Sequence, residues 1–155
     1  MVDIDDFLSP DRLLLGFPST DKRQLFHDLA ATAAAATHLD PGIILAALEQ
    51  REKLGTTGIG DGIAIPHARV EGLDRLTGFF IRLAAPIEYD ALDDAPVDLV
   101  FLLVAPEAAS TLQLKALARI ARLLRDPELG ARLRTEPAPE EVYELLRGRV
   151  PGQAA

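Results

Sequence analysis

Apolar positions along the chain switch between two periods. Leu25, Phe26, Leu29 and Ala33 recur three and four residues apart, which predicts a helix within STDKRQLFHDLAATAAAATHLD. Asp21 with Gln24 three residues later fits a capping box, with Ser19 or Thr20 as alternative caps. Asp40-Pro41 is an N-cap followed by proline at the first helical position. It opens a second helix, PGIILAALEQREK, which is expected to bury Ile44, Leu45 and Leu48 and to end at Gly55. Residues 11–17, residues 63–65 and LTGFFIRLAAP read as strands. VDLVFLLVAP is the most apolar segment and predicts a central strand buried on both faces. GTTGIGDG and IEYDALDDAP read as loops. STLQLKALARIARLLRD returns to the helical period, with Leu114, Leu117, Ile120, Ala121 and Leu124 on one side and Gln113 by default toward water. Asp126-Pro127 starts another short helix, and PEEVYELLRG is the last.

Helices and strands interleave without a linker or an internal repeat. This predicts one α/β domain over residues 1–150, a sheet between helical layers, and a frayed tail at 151–155. Strand order is not legible from the pattern.

Composition narrows the function classes. Hydrophobic residues make up 48% of the 155, enough for a substantial core. The formal net charge of −8 disfavours a phosphate-backbone partner, so no nucleic acid is expected. No cysteine is present, which excludes a disulfide framework and a thiolate metal site. The acidic start MVDIDDFLSPDR has no basic n-region or apolar h-region, and no run approaches the ~20 apolar residues of a membrane helix. A cytoplasmic protein without membrane insertion is the expectation.

Several familiar motifs fail. Residues 55–60 have Walker-loop spacing, but Asp61-Gly62 stands where Lys-Ser/Thr belongs. Gly58 and Gly60 lack the third glycine of a dinucleotide fingerprint. No serine sits in a G-x-S-x-G elbow, and His27, His38 and His67 lack metal-ligand spacing, so no metal is expected.

What remains is GIGDGIAIPHARV. A histidine nitrogen can carry a phosphoryl group if the ring is held rigid with one edge exposed. Pro66 restrains its own backbone and keeps Ile65 extended, while Ala68 leaves room for a partner. The glycines allow backbone N–H groups to point at an anion, although they also suit an ordinary tight turn. Thr56 and Thr57 offer hydroxyls, and Arg51 is a fork-shaped donor suited to phosphate. The bland alternatives are a surface histidine and a solvated arginine at a helix end.

REKLGTTGIGDGIAIPHARV closely resembles the signature of the type-2 enzyme IIA domains of the bacterial phosphoenolpyruvate-dependent phosphotransferase system, the fructose/mannitol class. The nitrogen-regulatory branch of that family is the most similar. APIEYDALDDAPVDLVFLLVAPE resembles the family's second block and LKALARIARLLRD the helix after it, so the resemblance spans roughly residues 4–146. It implies a three-layer α/β/α sandwich with a mixed, mainly parallel five-stranded sheet. It implies that His67 is phosphorylated on Nε2, that Arg51 stabilises the phosphohistidine, and that transfer at this domain needs no cofactor. It implies a histidine-containing phosphocarrier protein, or its nitrogen-branch paralogue, as donor, and regulatory target proteins or an enzyme IIB as the next partner. Many members carry a second histidine where this chain has Gln113. A glutamine amide can donate to a phosphoryl oxygen but cannot become cationic. Two rival readings follow: a sugar-transport enzyme IIA, and an interaction domain that is not phosphorylated.

Overall fold

Alternation within the most apolar run decides the architecture. In the computed structural model, which describes residues 2–148, the chain forms β1 (Leu13–Phe17), α1 (Lys22–Thr37), α2 (Pro41–Lys53), β2 (Gly58–Gly60), β3 (Ile63–Ala64), β4 (His67–Val70), β5 (Thr77–Ile87), β6 (Val97–Pro106), α3 (Ser110–Arg125), α4 (Pro127–Thr135) and α5 (Pro139–Leu146). Successive side chains of a strand point to opposite faces. Along β6, Val100, Leu102 and Val104 enter a core shared with α1 and α2. Leu99, Phe101, Leu103 and Ala105 enter a second core beneath α3, α4 and α5. The result is the expected three-layer α/β/α arrangement, with β6 buried on both faces.

The sheet runs β1-β5-β6-β3-β2, and β4 also pairs with β6. β3 and β4 share one register on β6: Ile63 lies opposite Leu99, Ala64 opposite Val100, and His67 opposite Leu103. They are two pieces of a single strand, broken where Pro66 has no N–H for the ladder. Counted as one path, they give the expected five strands in a sheet of six segments. β1 on β5 and both pieces on β6 are parallel, whereas β5–β6 and β2–β3 are antiparallel.

Helix starts follow local chemistry. The Asp21 carboxylate accepts from Gln24 N–H at 2.8 Å, and the Gln24 side chain reaches back to Thr20 N–H at 3.0 Å. The reciprocal half of the capping box is therefore one residue upstream of its ideal place. Asp40 accepts from Gly42 N–H at 2.9 Å, with Pro41 leading α2. Among the described residues, no helix is long and apolar enough to cross a membrane.

Two expectations need correction. GTTGIGDG is not all loop: β2 and β3 form a hairpin whose central residues, Asp61 and Gly62, have φ of 58° and 77°. Positive φ at both central positions is what a tight type I′ connection requires, and Asp-Gly supplies it. On α3, Leu114 is 68% exposed and Gln113 is buried. The inward stripe is Gln113, Ala116, Ile120 and Leu124, three and four residues apart on one helix face. The tail at 151–155 lies outside the described residues.

Gly58 is required by close approach rather than by flexibility. A Cβ at that position falls 2.8 Å from Ala91 Cβ, 2.9 Å from Ala91 Cα and 2.9 Å from Tyr89 Cδ1. The neighbouring backbone cannot shift freely, since Leu92 N–H donates to the Gly58 carbonyl at 3.0 Å. Gly58→Ala is expected to cost about 1–3 kcal/mol in urea unfolding. A loss below ~0.5 kcal/mol, the range of an ordinary surface change, contradicts this contact.

Candidate active site around His67

Pro66 breaks the strand and delivers His67 to the first position of β4, half-buried at the edge of β6. Its Nδ1 lies 2.8 Å from the Ile65 carbonyl oxygen. A carbonyl only accepts, so Nδ1 carries the proton and Nε2 keeps its lone pair. Arg51, in the last turn of α2, donates from Nε to that Nε2 at 3.2 Å. The same guanidinium is anchored by Nη1 donating to the Gly55 carbonyl at 2.9 Å. Both ring nitrogens thus have a fixed partner, and the tautomer is set by geometry.

The ring's protonation is tuned in the same direction. Burial pushes the His67 pKa below the ordinary 6.5, against the pull of the Ile65 hydrogen bond. The Arg51 charge adds to the lowering and the Glu52 charge opposes it. At neutral pH the imidazole is therefore uncharged, with a nucleophilic Nε2.

His67, Arg51 and Gln113 line a cleft of about 740 Å³ between α2, β4 and α3. Gln113 is only 7% exposed, and its Nε2 donates to the Ala68 carbonyl at 3.2 Å. It braces the residue next to His67 and leaves its own carbonyl oxygen as an acceptor. Gln50, Arg69, Glu107 and Ser110 also line the cleft, as do the exposed Leu54 and Leu114. These residues carry no local sequence signal. Only the parallel pairing of β4 on β6 assembles them, with α2 packed on one face of the sheet and α3 on the other.

The two threonines are placed differently from His67, Arg51 and Gln113. Neither lines the cleft. Thr56 Oγ1 accepts from Gly58 N–H at 3.1 Å. Thr57 is buried, and its hydroxyl donates to Glu52 Oε1 at 2.6 Å. The glycines of 58–62 belong to the hairpin and do not line the cleft either. Among the described residues, no cluster of three or more His, Asp or Glu is arranged to hold a metal ion.

The sequence and the fold together define a class. Residues 6–148 match the family described as "Phosphoenolpyruvate-dependent sugar phosphotransferase system, EIIA 2", and the chain belongs to that family of phosphotransfer components. Within the family it is similar to proteins of nitrogen regulation. A nitrogen regulatory protein of Bradyrhizobium diazoefficiens is 45% identical over 143 residues, covering 92% of this chain and 94% of the relative. The crystal structure of nitrogen regulatory protein IIA-Ntr from Neisseria meningitidis superposes with a TM-score of 0.88 at 34% identity, over 92% of this chain and 98% of that one. The Escherichia coli mannitol enzyme IIA, solved in complex with phosphorylated enzyme IIB, shares the fold at 22% identity, with a TM-score of 0.76 over 92% and 98% of the two chains.

Proposed function

We propose that this chain is a phosphohistidine carrier that accepts phosphate on Nε2 of His67 from a histidine-containing phosphocarrier protein, or from its nitrogen-branch paralogue. The observation that carries the reading is the pinned ring: Nδ1–H on the Ile65 carbonyl, Nε2 on Arg51. The Nε2 lone pair attacks phosphorus of the donor's phosphohistidine. The new N–P bond forms as the donor's N–P bond breaks, and that electron pair returns to the donor imidazole. The His67 ring becomes cationic while retaining its Nδ1 proton, and the Ile65 carbonyl stabilises that charge. Arg51 must leave Nε2 to admit the phosphoryl group, after which its remaining N–H groups can bind the phosphoryl oxygens.

Leu54 and Leu114, 84% and 68% exposed, flank the histidine cleft. Exposed apolar side chains around a reactive group suit transient docking of a protein donor. The 45% identity to a nitrogen regulatory protein favours a regulatory role, exercised on target proteins by phosphorylation state. A sugar-transport role is the second reading, motivated by the mannitol relative's complex with enzyme IIB. The test is a phosphorelay of phosphoenolpyruvate, enzyme I, phosphocarrier protein and this chain, followed by intact-mass analysis. One added phosphoryl group is expected. None added favours a non-phosphorylated interaction domain, while rapid loss to an added enzyme IIB favours sugar transport.

Gln113 gives a separate expectation. Because it is buried in the cleft wall and bonded to Ala68, a histidine there faces the same space as His67. Gln113→His is expected to lengthen the lifetime of phospho-His67 and to make it depend on pH near ~6.5. A lifetime equal to the parent's from acid to neutral pH contradicts a role for position 113 in the cleft.

A further inference from the structure

Behind the cleft, on the side away from it, lies a partly buried carboxylate that phosphoryl chemistry does not directly use. Glu52 follows Arg51 in α2 and sits about a quarter-turn round the helix. Its Oε2 accepts from Thr57 N–H at 2.9 Å and pairs with Lys22 Nζ at 2.9 Å. Its Oε1 accepts the Thr57 hydroxyl at 2.6 Å. Tyr89 OH is 2.7 Å from the same Thr57 oxygen. The single Thr57 hydroxyl proton goes to the carboxylate, so the tyrosine must be the donor. Burial pushes the Tyr89 phenol up, which keeps that proton in place. Lys22 lies 4.4 Å over the Tyr89 ring, closing the group.

Both routes from this cluster end at His67. The Thr57 carbonyl accepts from Ile65 N–H at 2.9 Å, and the Ile65 carbonyl accepts from His67 Nδ1. The loop that Glu52 and Thr57 hold also contains Gly55, whose carbonyl anchors the Arg51 guanidinium that meets His67 Nε2. One carboxylate therefore fixes the supports of both ring nitrogens without touching the ring.

We propose that Glu52, acting through Thr57, is a positioning residue for phosphoryl transfer: it holds the Nδ1–H tautomer of His67 and the approach of Arg51 to Nε2. Thr57 then serves the site as a strut rather than as a phosphate ligand. The groups around Glu52 are Lys22 on α1, Arg51 on α2, Thr57 on the loop, Tyr89 after β5 and His67 on β4. Burial alone raises the Glu52 pKa, but the bonds from Thr57 and Lys22 outweigh it and hold it below its ordinary value. It is therefore an anion at neutral pH, and its charge opposes the lowering of the His67 pKa.

This proposal rests on His67 being the phosphoryl acceptor, and the test separates the two. Ring nitrogen-15 NMR of His67 is followed against pH in the unphosphorylated protein, beside the rate of phosphoryl acceptance, for Glu52→Gln, Thr57→Val and Thr57→Ser. Thr57→Val deletes the hydroxyl at nearly constant shape. Thr57→Ser keeps it and is the rescue. Glu52→Gln and Thr57→Val are expected to mix the two ring tautomers and to slow acceptance about 10- to 100-fold, as a small misplacement of reacting groups does. Glu52→Gln is also expected to lower the His67 pKa further, through loss of the opposing charge. Thr57→Ser is expected to keep the parental tautomer and most of the rate. If Glu52→Gln fails to fold, the Thr57 pair decides. A folded Thr57→Val or Glu52→Gln protein with parental tautomer, or with parental rate, overturns the positioning role. A parent protein that takes no phosphate on His67 overturns the carrier reading instead.

Discussion

His67→Ala is expected to abolish phosphoryl acceptance completely, while His27→Ala and His38→Ala leave it at the parental level. The three histidines differ in what surrounds them. His27 and His38 are exposed on and just after α1, and neither lines the cleft. His67 alone has one nitrogen committed to a carbonyl and the other offered to a cation. The loss cannot be blamed on unfolding, because alanine removes only two hydrogen bonds of a half-buried side chain, about 1–3 kcal/mol in all. The acid-labile label carried by each variant after the phosphorelay is the measurement. Persistent label on His67→Ala at parental stoichiometry sinks the assignment. The same ring gives a pH signature. Its folded-state pKa lies below 6.5, so acceptance should hold through neutral pH and fall only as pH drops through that lowered value. The sign for stability follows from proton counting. Between the lowered value and 6.5 the unfolded chain binds more protons, so the His67 contribution to stability rises with pH there and shrinks as the solution is acidified.

Arg51→Ala is expected to give the next largest effect with the fold intact. The guanidinium meets Nε2 before transfer, and charge-assisted bonds to phosphoryl oxygens contribute about 1.5–3 kcal/mol. That corresponds to roughly a tenfold to hundredfold loss in acceptance rate or in phosphohistidine lifetime. Arg51→Lys should recover only part, because an ammonium lacks the planar fork that bonds Gly55 with one nitrogen and His67 with another. Single-turnover phosphorylation and the decay of the phosphoprotein report the two quantities. An Arg51→Ala protein with parental rate and lifetime makes the contact with His67 incidental.

The parts of this fold that are legible in the sequence are those set by neighbours along the chain. Asp21 and Asp40 cap helices with groups two or three residues away, and their positions follow from local rules. β6 announces itself because ten residues carry one polar interruption, Asp98. The Asp61-Gly62 hairpin is also local, but Gly58 and Gly60 just before it read equally well as loop. The parts that are not legible depend on distant partners. Thr57 reads as an available hydroxyl until Tyr89, thirty-two residues on, closes over it. Helical period alone leaves Gln113 toward solvent and only the resemblance places it at the pocket; its buried partner, the Ala68 carbonyl forty-five residues before it, is not legible. Leu114 reads as core by period alone, yet it remains exposed beside the histidine cleft. His67 and Arg51 stand out through the resemblance of their segment to a known signature. The contact between them appears only when α2 packs against β4.

The most direct test of the central claim is which ring nitrogen of which histidine takes the phosphoryl group. Protein carrying nitrogen-15 in its histidine rings is phosphorylated through the relay and examined by NMR for nitrogen–phosphorus coupling. The geometry predicts a single N–P bond, at Nε2 of His67, with Nδ1 still protonated on the Ile65 carbonyl. A phosphoryl group on Nδ1 of His67, or on His27 or His38, contradicts it.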